Sequence, residues 1–152
     1  MINLTCQLLM PLIGVFTPGI CGEEDWFTKH NANAVHVNEL MLIIQEEAPR
    51  NEWINIHDVF YCESGLRPYP YINPLARGDN GYSWGGAQIQ PRYWKDYIHE
   101  GESLFNLRDA VRITTRIITD EERPWQKRWN PWACRPGSSK AKAAKKQLLK
   151  GI

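Results

Sequence analysis

Charge is absent from the first 22 residues, Met1 to Gly22, and acid is absent from everything beyond Cys134. Cysteine is sparse, with four in 152 residues, and no apolar run is clean enough to cross a bilayer, because Pro11 and Gly14 interrupt Leu8 to Phe16. A membrane-spanning helix is not expected. A dense cystine scaffold is not needed, since a chain of this length buries roughly two thirds of its unfolded surface without one. Histidine offers little: His30, His36, His57 and His99 include no pair at metal-ligand spacing and no His-Glu-x-x-His run. The Gly85-Gly86 pair lacks the Lys-Ser/Thr of a phosphate-binding loop. Neither a metal, a nucleotide nor another cofactor is expected.

What is present describes one ordinary globular domain, 43% hydrophobic and 23% charged, with short additions at its ends. The net charge of +1 hides an asymmetry. Six basic residues, Arg135, Lys140, Lys142, Lys145, Lys146 and Lys150, crowd the end, leaving 12 basic against 17 acidic in the rest. Residues 137–152 therefore read as a basic tail. It is either a solvated, partly helical end or a cationic segment for a polyanion such as nucleic acid or a wall polymer. Residues 1–30 form an apolar arm. Leu8 to Phe16 has the length of a signal-peptide core, but no Lys or Arg precedes it and Ile20-Cys21-Gly22 is a poor cleavage site. An export segment and an arm packed on the domain remain rival readings.

Residues 31–136 are the body. Val37, Leu40, Met41 and Ile44 recur at helical spacing within Asn33 to Ala48, which Pro49 stops. A second helix is predicted from Asn51 to Glu63, with a Trp53, Ile56, Val59, Phe60 stripe and Gly65 at its end. Leu66 to Gly81, rich in Pro and Gly, is turn and loop chemistry. Tyr82 to Gln90 suggests an irregular hairpin leading into a helix from Pro91 through Ile98. Leu107 to Ile118 is a further amphipathic helix, and Trp125 to Cys134 a tryptophan-rich close. The sum is an α+β domain, mainly helical, with a small β or loop insertion after the second helix.

One feature carries chemistry. Glu63 ends an apolar helix and precedes a polar loop rich in glycine and aromatics. A carboxyl group against an apolar wall loses solvation in its charged form, which is how a general acid is made for neutral pH. Glycoside cleavage needs such an acid, because the leaving oxygen must be protonated as the ring gains oxocarbenium character. Asp79, sixteen residues later, is the only acidic residue between Glu63 and Asp96. It is either a second carboxylate, as a hydrolase would use, or a turn residue capping its own backbone before Asn80-Gly81. Tyr82 and Trp84 offer aromatic faces for a sugar ring. Gly85 and Gly86 allow close approach of a glycan to the backbone, although a bulge or tight turn explains them equally. His57, five residues before Cys62, is off its helix face, which disfavours a thiol nucleophile.

The ordered blocks Tyr61-Cys62-Glu63-Ser64-Gly65, Asp79-Asn80-Gly81-Tyr82, Gly85-Gly86-Ala87-Gln88-Ile89-Gln90-Pro91 with Trp94, and Trp129-Asn130-Pro131-Trp132-Ala133-Cys134 resemble the signature of lysozyme-like lytic transglycosylases. The likeness runs from about Trp53 to Cys134 and is nearest to the branch that holds resuscitation-promoting factors and similar phage domains. It implies a lysozyme-like fold that cuts the β-1,4 bond between N-acetylmuramic acid and N-acetylglucosamine in peptidoglycan. Glu63 would act as acid and then base, and the muramoyl C6 hydroxyl would attack internally to leave a 1,6-anhydro end. The resemblance further implies substrate contacts from Ser64, Gly86 and Gln88, the last to an acetamido group. It also implies a Cys62–Cys134 disulfide, worth roughly 3 to 4 kcal/mol in the chain-entropy model and suited to an oxidising destination.

The expected partner is thus the glycan strand, met by a secreted or virion-borne enzyme that works as a monomer unless built into a particle. The basic tail would tether it to an anionic wall polymer or a virion protein. A non-catalytic glycan-binding or structural module on the same fold is the first rival, and a nucleic-acid binder acting through the lysine tail the second.

Overall fold

The computed structural model describes residues 32–66, 70–124 and 127–148; the N-terminal arm with Cys6 and Cys21 lies outside them. All the elements below belong to one compact unit, Ala34–Ile152. The architecture is mixed helix and sheet, and mainly helical.

The helix expected from Asn33 starts later. Val35–His36 is a short strand, β1, and helix α1 spans Val37–Glu47. His36 marks the switch, with extended backbone and a ring Nδ1 that accepts from the Asn38 N–H at 3.1 Å. A side-chain acceptor at this point satisfies one of the donors a helix start leaves unpaired. Pro49 forces Ala48 into extended backbone and ends α1. After a 3-10 turn at Arg50–Glu52 comes α2, Trp53–Ser64. Trp53 fixes the corner by donating from its indole to the Ala48 carbonyl at 2.9 Å.

Two-residue strands follow: β2 at Gly65–Leu66, β3 at Tyr71–Ile72, β4 at Arg77–Gly78 and β5 at Ser83–Trp84. β3 lies between β1 and β2, antiparallel to both, with Ile72 opposite Val35 and Gly65. β4 and β5 form a separate hairpin closed by a 3-10 turn at Asp79–Gly81, whose residues all take left-handed φ, at 49°, 56° and 91°. Asn and Asp tolerate that region better than other side chains, because their short polar groups bond locally. The chain then turns through Gly85 to Gln88, and Ile89 bonds back to Trp84 in both directions at 2.9 and 3.1 Å.

The helix after Pro91 is shorter than its spacing predicts. α3 is Pro91–Trp94, followed by a 3-10 turn at Lys95–Tyr97. Tertiary contacts take over there: Arg123 lies 4.6 Å over the Trp94 ring, and Arg116 donates to the Tyr97 carbonyl at 2.9 Å. α4, Leu107–Thr119, is capped by Asn106, whose side chain accepts from the Asp109 N–H at 3.1 Å. It buries Ala110, Val111, Ile113, Thr114, Ile117 and Ile118. α5, Ser139–Leu148, lies in the basic stretch read either as a solvated, partly helical end or as a cationic segment for a polyanion, and it packs against α2.

Val37, Leu40 and Ile44 of α1, Ile56, Val59 and Phe60 of α2 and the apolar face of α4 make the core, joined by Ile72, Ile89 and Trp132. Glu47 bolts α1 to α4 through Arg112 Nε at 2.8 Å and Arg108 Nη1 at 2.6 Å. These two guanidinium groups, Arg112 first, hold the Glu47 carboxyl below the usual range. Trp132 is buried and donates its indole N–H to the Ala87 carbonyl at 2.7 Å. The C-terminal close is thereby tied to the glycine block.

Packing dictates that block. A Cβ on Gly85 would stand 1.9 Å from the Leu104 carbonyl oxygen, at φ +76°, and one on Gly86 would meet the buried Phe60 ring at 2.9 Å. Gly101 has a similar φ, +82°, but open space around it. Gly85→Ala should therefore cost at least about 2 kcal/mol more than Gly101→Ala in chemical denaturation, since only the first adds a backbone clash to the left-handed penalty. Equal losses would mean that the block can relax away from Leu104.

Candidate functional site

Glu63 lies in the last turn of α2, with a side chain only 10% exposed. That end of a helix carries partial negative charge, which disfavours a carboxylate, and α2 has no basic residue in its last turn to offset it. The compensation comes from the far end of the chain. Glu63 Oε1 accepts from the Cys134 backbone N–H at 2.8 Å, and Oε2 faces Lys140 Nζ at 3.5 Å. The Cys134 contact is held by a disulfide to Cys62, with Cα atoms 5.8 Å apart and a sequence separation of 72. Glu63 thus meets two donors in addition to the apolar helix behind it.

Asp79 stands on the β4–β5 turn. Its carboxylate accepts from the Ser83 hydroxyl and from Gln90 Nε2 at 3.1 Å, while its backbone carbonyl accepts from the Tyr82 N–H at 3.2 Å. It is a turn residue, but its side chain reaches along the hairpin and does not cap its own backbone. The Ser83 hydrogen bond, then the Gln90 one, and the charge of Lys140 hold its carboxyl below the ordinary aspartate range. Lys140 pairs with Glu63 and is the smallest of the causes acting on Asp79.

The other residues singled out by sequence divide into two groups. Tyr82 is 56% exposed, and Arg92 lies 4.9 Å over its ring and 4.4 Å over that of Tyr93, which is also open to solvent. Trp84 is half-buried: its ring stacks on Phe105 at 5.6 Å, Arg77 lies over it at 5.2 Å, and its indole donates to the Gly81 carbonyl at 2.6 Å. Ser64 is buried and donates to the Phe60 carbonyl at 3.0 Å. Gln88 donates to the Gly85 carbonyl at 2.8 Å, and its Oε1 fills the space beside Gly78. Gly86 packs on Phe60. Ser64 thus bonds within α2, Gln88 within the glycine turn and beside Gly78, and Gly86 packs on Phe60 of α2, while Trp84 stacks on Phe105 and Tyr82 keeps much of its ring open to solvent.

Sequence reasoning missed Lys140 as a neighbour of the acid, because a lysine run carries no mark of which member folds back. It missed Ser83 and Gln90 for a different reason: their link to Asp79 depends on the left-handed turn. Among the described residues no group of three His, Cys, Asp or Glu could hold a metal ion. Comparison with protein-family models, with curated proteins and with solved structures returns no match.

The Asp79 geometry makes a pH prediction. A carboxyl whose folded pKa lies below its unfolded value adds stability above the unfolded pKa, and loses it as pH falls through the folded one. Ser83→Ala removes the larger cause, so the Asp79 side-chain titration followed by NMR should move up toward the ordinary aspartate range. An Asp79 that titrates identically in both proteins would mean that the hydroxyl does not hold it in solution.

Proposed function

We propose that the chain is a glycan-strand-cleaving enzyme with a lysozyme-like fold, in which one carboxyl group does the proton work. More particularly, we read it as a peptidoglycan lytic transglycosylase or lysozyme acting on the β-1,4 bond after N-acetylmuramic acid. The observation that carries this reading is Glu63: a nearly buried carboxyl at the end of α2, braced by Cys134 and faced by Lys140. The helix dipole disfavours a carboxylate at that end of α2, so its presence there under cover supports a chemical role.

In this mechanism Glu63 protonates the glycosidic oxygen as the bond breaks, then takes a proton from the incoming nucleophile. If the nucleophile is the muramoyl C6 hydroxyl, Glu63 suffices and the product is a 1,6-anhydro end. If it is water, Asp79 would be the group to stabilise the cation or orient the water, since its carboxyl, held low by Ser83 and Gln90, stays ionised. Tyr82 supplies an exposed ring for a sugar face. The Cys62–Cys134 bond suits an oxidising destination, such as the cell envelope or a virion. The enzyme would need no cofactor.

The test is mass spectrometry of soluble products from purified peptidoglycan. The wild type should release muropeptides and Glu63→Gln should release them at least about 100-fold more slowly, as expected when a general acid is lost. Anhydro ends mark a transglycosylase; reducing ends mark a hydrolase and give Asp79 a role. Absence of products from the wild type on walls of several bond types would sink the enzymatic reading in favour of a glycan-binding or structural module.

A further inference from the structure

α5 begins at the charge that faces the candidate acid. Ser138 caps it, accepting from the Ala141 N–H through Oγ at 3.1 Å and from the Lys142 N–H through its carbonyl at 3.0 Å. Lys140 therefore lies in the first turn of α5, the end at which the helix dipole disfavours a cation. Glu63 lies in the last turn of α2, the end that disfavours an anion. Each charge is misplaced on its own helix, and each is answered by the other at 3.5 Å. The two helices pack together where these ends meet.

The contact has a consequence for proton transfer. With the Cys134 N–H on Oε1 and the Lys140 ammonium on Oε2, both oxygens of Glu63 face protein donors. A leaving-group oxygen must come within hydrogen-bond reach of one of them. The Cys134 donor is fixed by the adjacent disulfide. Lys140 is the removable one: its side chain is 56% exposed, and it follows Gly137, which takes a left-handed φ of 79°. α5 is also a ten-residue helix, short enough to be marginal in water without its packing contacts.

We infer that α5 is an autoinhibitory cap, clasped over Glu63 by Lys140, that must shift before a glycan can reach the acid. The cap rests on the glycosidase reading, whereas the clasp itself is a property of the folded chain. A site competent only in the displaced form loses apparent affinity by the fraction displaced.

Two measurements on the full chain separate the parts. In hydrogen–deuterium exchange, Glu63→Gln should speed amide exchange over residues 139–148 relative to wild type, with no such change for Glu39→Gln on α1; equal rates would overturn the clasp. In peptidoglycan turnover at limiting substrate, Lys140→Gln should be roughly 2- to 5-fold faster than wild type, the range of a partly exposed ion pair. Added salt should narrow that gap by screening the pair. A Lys140→Gln variant that is slower or unchanged beside an active wild type would overturn the cap and leave the glycosidase reading intact. No turnover by either protein, with faster exchange in Glu63→Gln, would overturn the enzymatic reading and the cap together while keeping the clasp.

Discussion

The structure turns on the C-terminal end of α2, where Cys62, Glu63 and Ser64 face three different demands. Ser64 turns inward and bonds to the preceding helical turn. Cys62 is covalently joined to Cys134. Glu63, between them, carries a charge at the helix end least suited to it. Such a residue stays folded under cover only if donors are brought to it, and the chain has to return across a separation of 72 residues to bring them. Cross-linking so long a loop is worth about 4 kcal/mol in the chain-entropy model. Here it also fixes where the Cys134 N–H stands, so one covalent bond supplies both stability and electrostatic compensation.

The hairpin and the glycine block are placed by the same end of α2. Gly86 lies against Phe60, one turn before Ser64. Ala87 gives its carbonyl to Trp132, which precedes the disulfide by two residues. A wedge of helix, glycine block and tryptophan close is thereby locked together, and the β4–β5 turn projects from it. Asp79 and Tyr82 are held on that turn by Ser83, Gln90 and Arg92. Gly85 and Gly86, read from sequence either as room for a glycan or as a bulge or tight turn, are each packed against the chain, Gly85 on Leu104 and Gly86 on Phe60.

α1, α2 and α4 were legible because each has a continuous apolar stripe. α2 and α4 lie where their spacing predicts, and the proline stops hold for α1. The misses share a cause. Val35 and His36 continue a helical pattern in sequence, yet they pair with β3, a partner thirty-odd positions away whose call on them leaves no local trace. Arg92 to Ile98 breaks at Trp94, where contacts with Arg123 and Tyr97 outweigh local propensity. At the site, the place of Glu63 at the end of an apolar helix was readable from spacing, and the Cys62–Cys134 pair from the resemblance alone. Its surroundings were not. A lysine in a run of lysines is a charge with many equivalent positions, and only the fold selects Lys140.

The two donors on Glu63 differ in permanence, and this difference is what makes a switch physically reasonable here. The Cys134 N–H belongs to a backbone tied next to the acid by a disulfide, so removing it would require breaking a covalent bond or unfolding the close. Lys140 reaches the other oxygen by a long side chain from a marginal helix, past a glycine in left-handed conformation. An ion pair this exposed is worth at most about 1 kcal/mol, within reach of what a bound sugar gains from one aromatic face and one hydrogen bond. On the glycosidase reading, a clasp of that strength would yield to a substrate, whereas a fully buried pair would block the site outright.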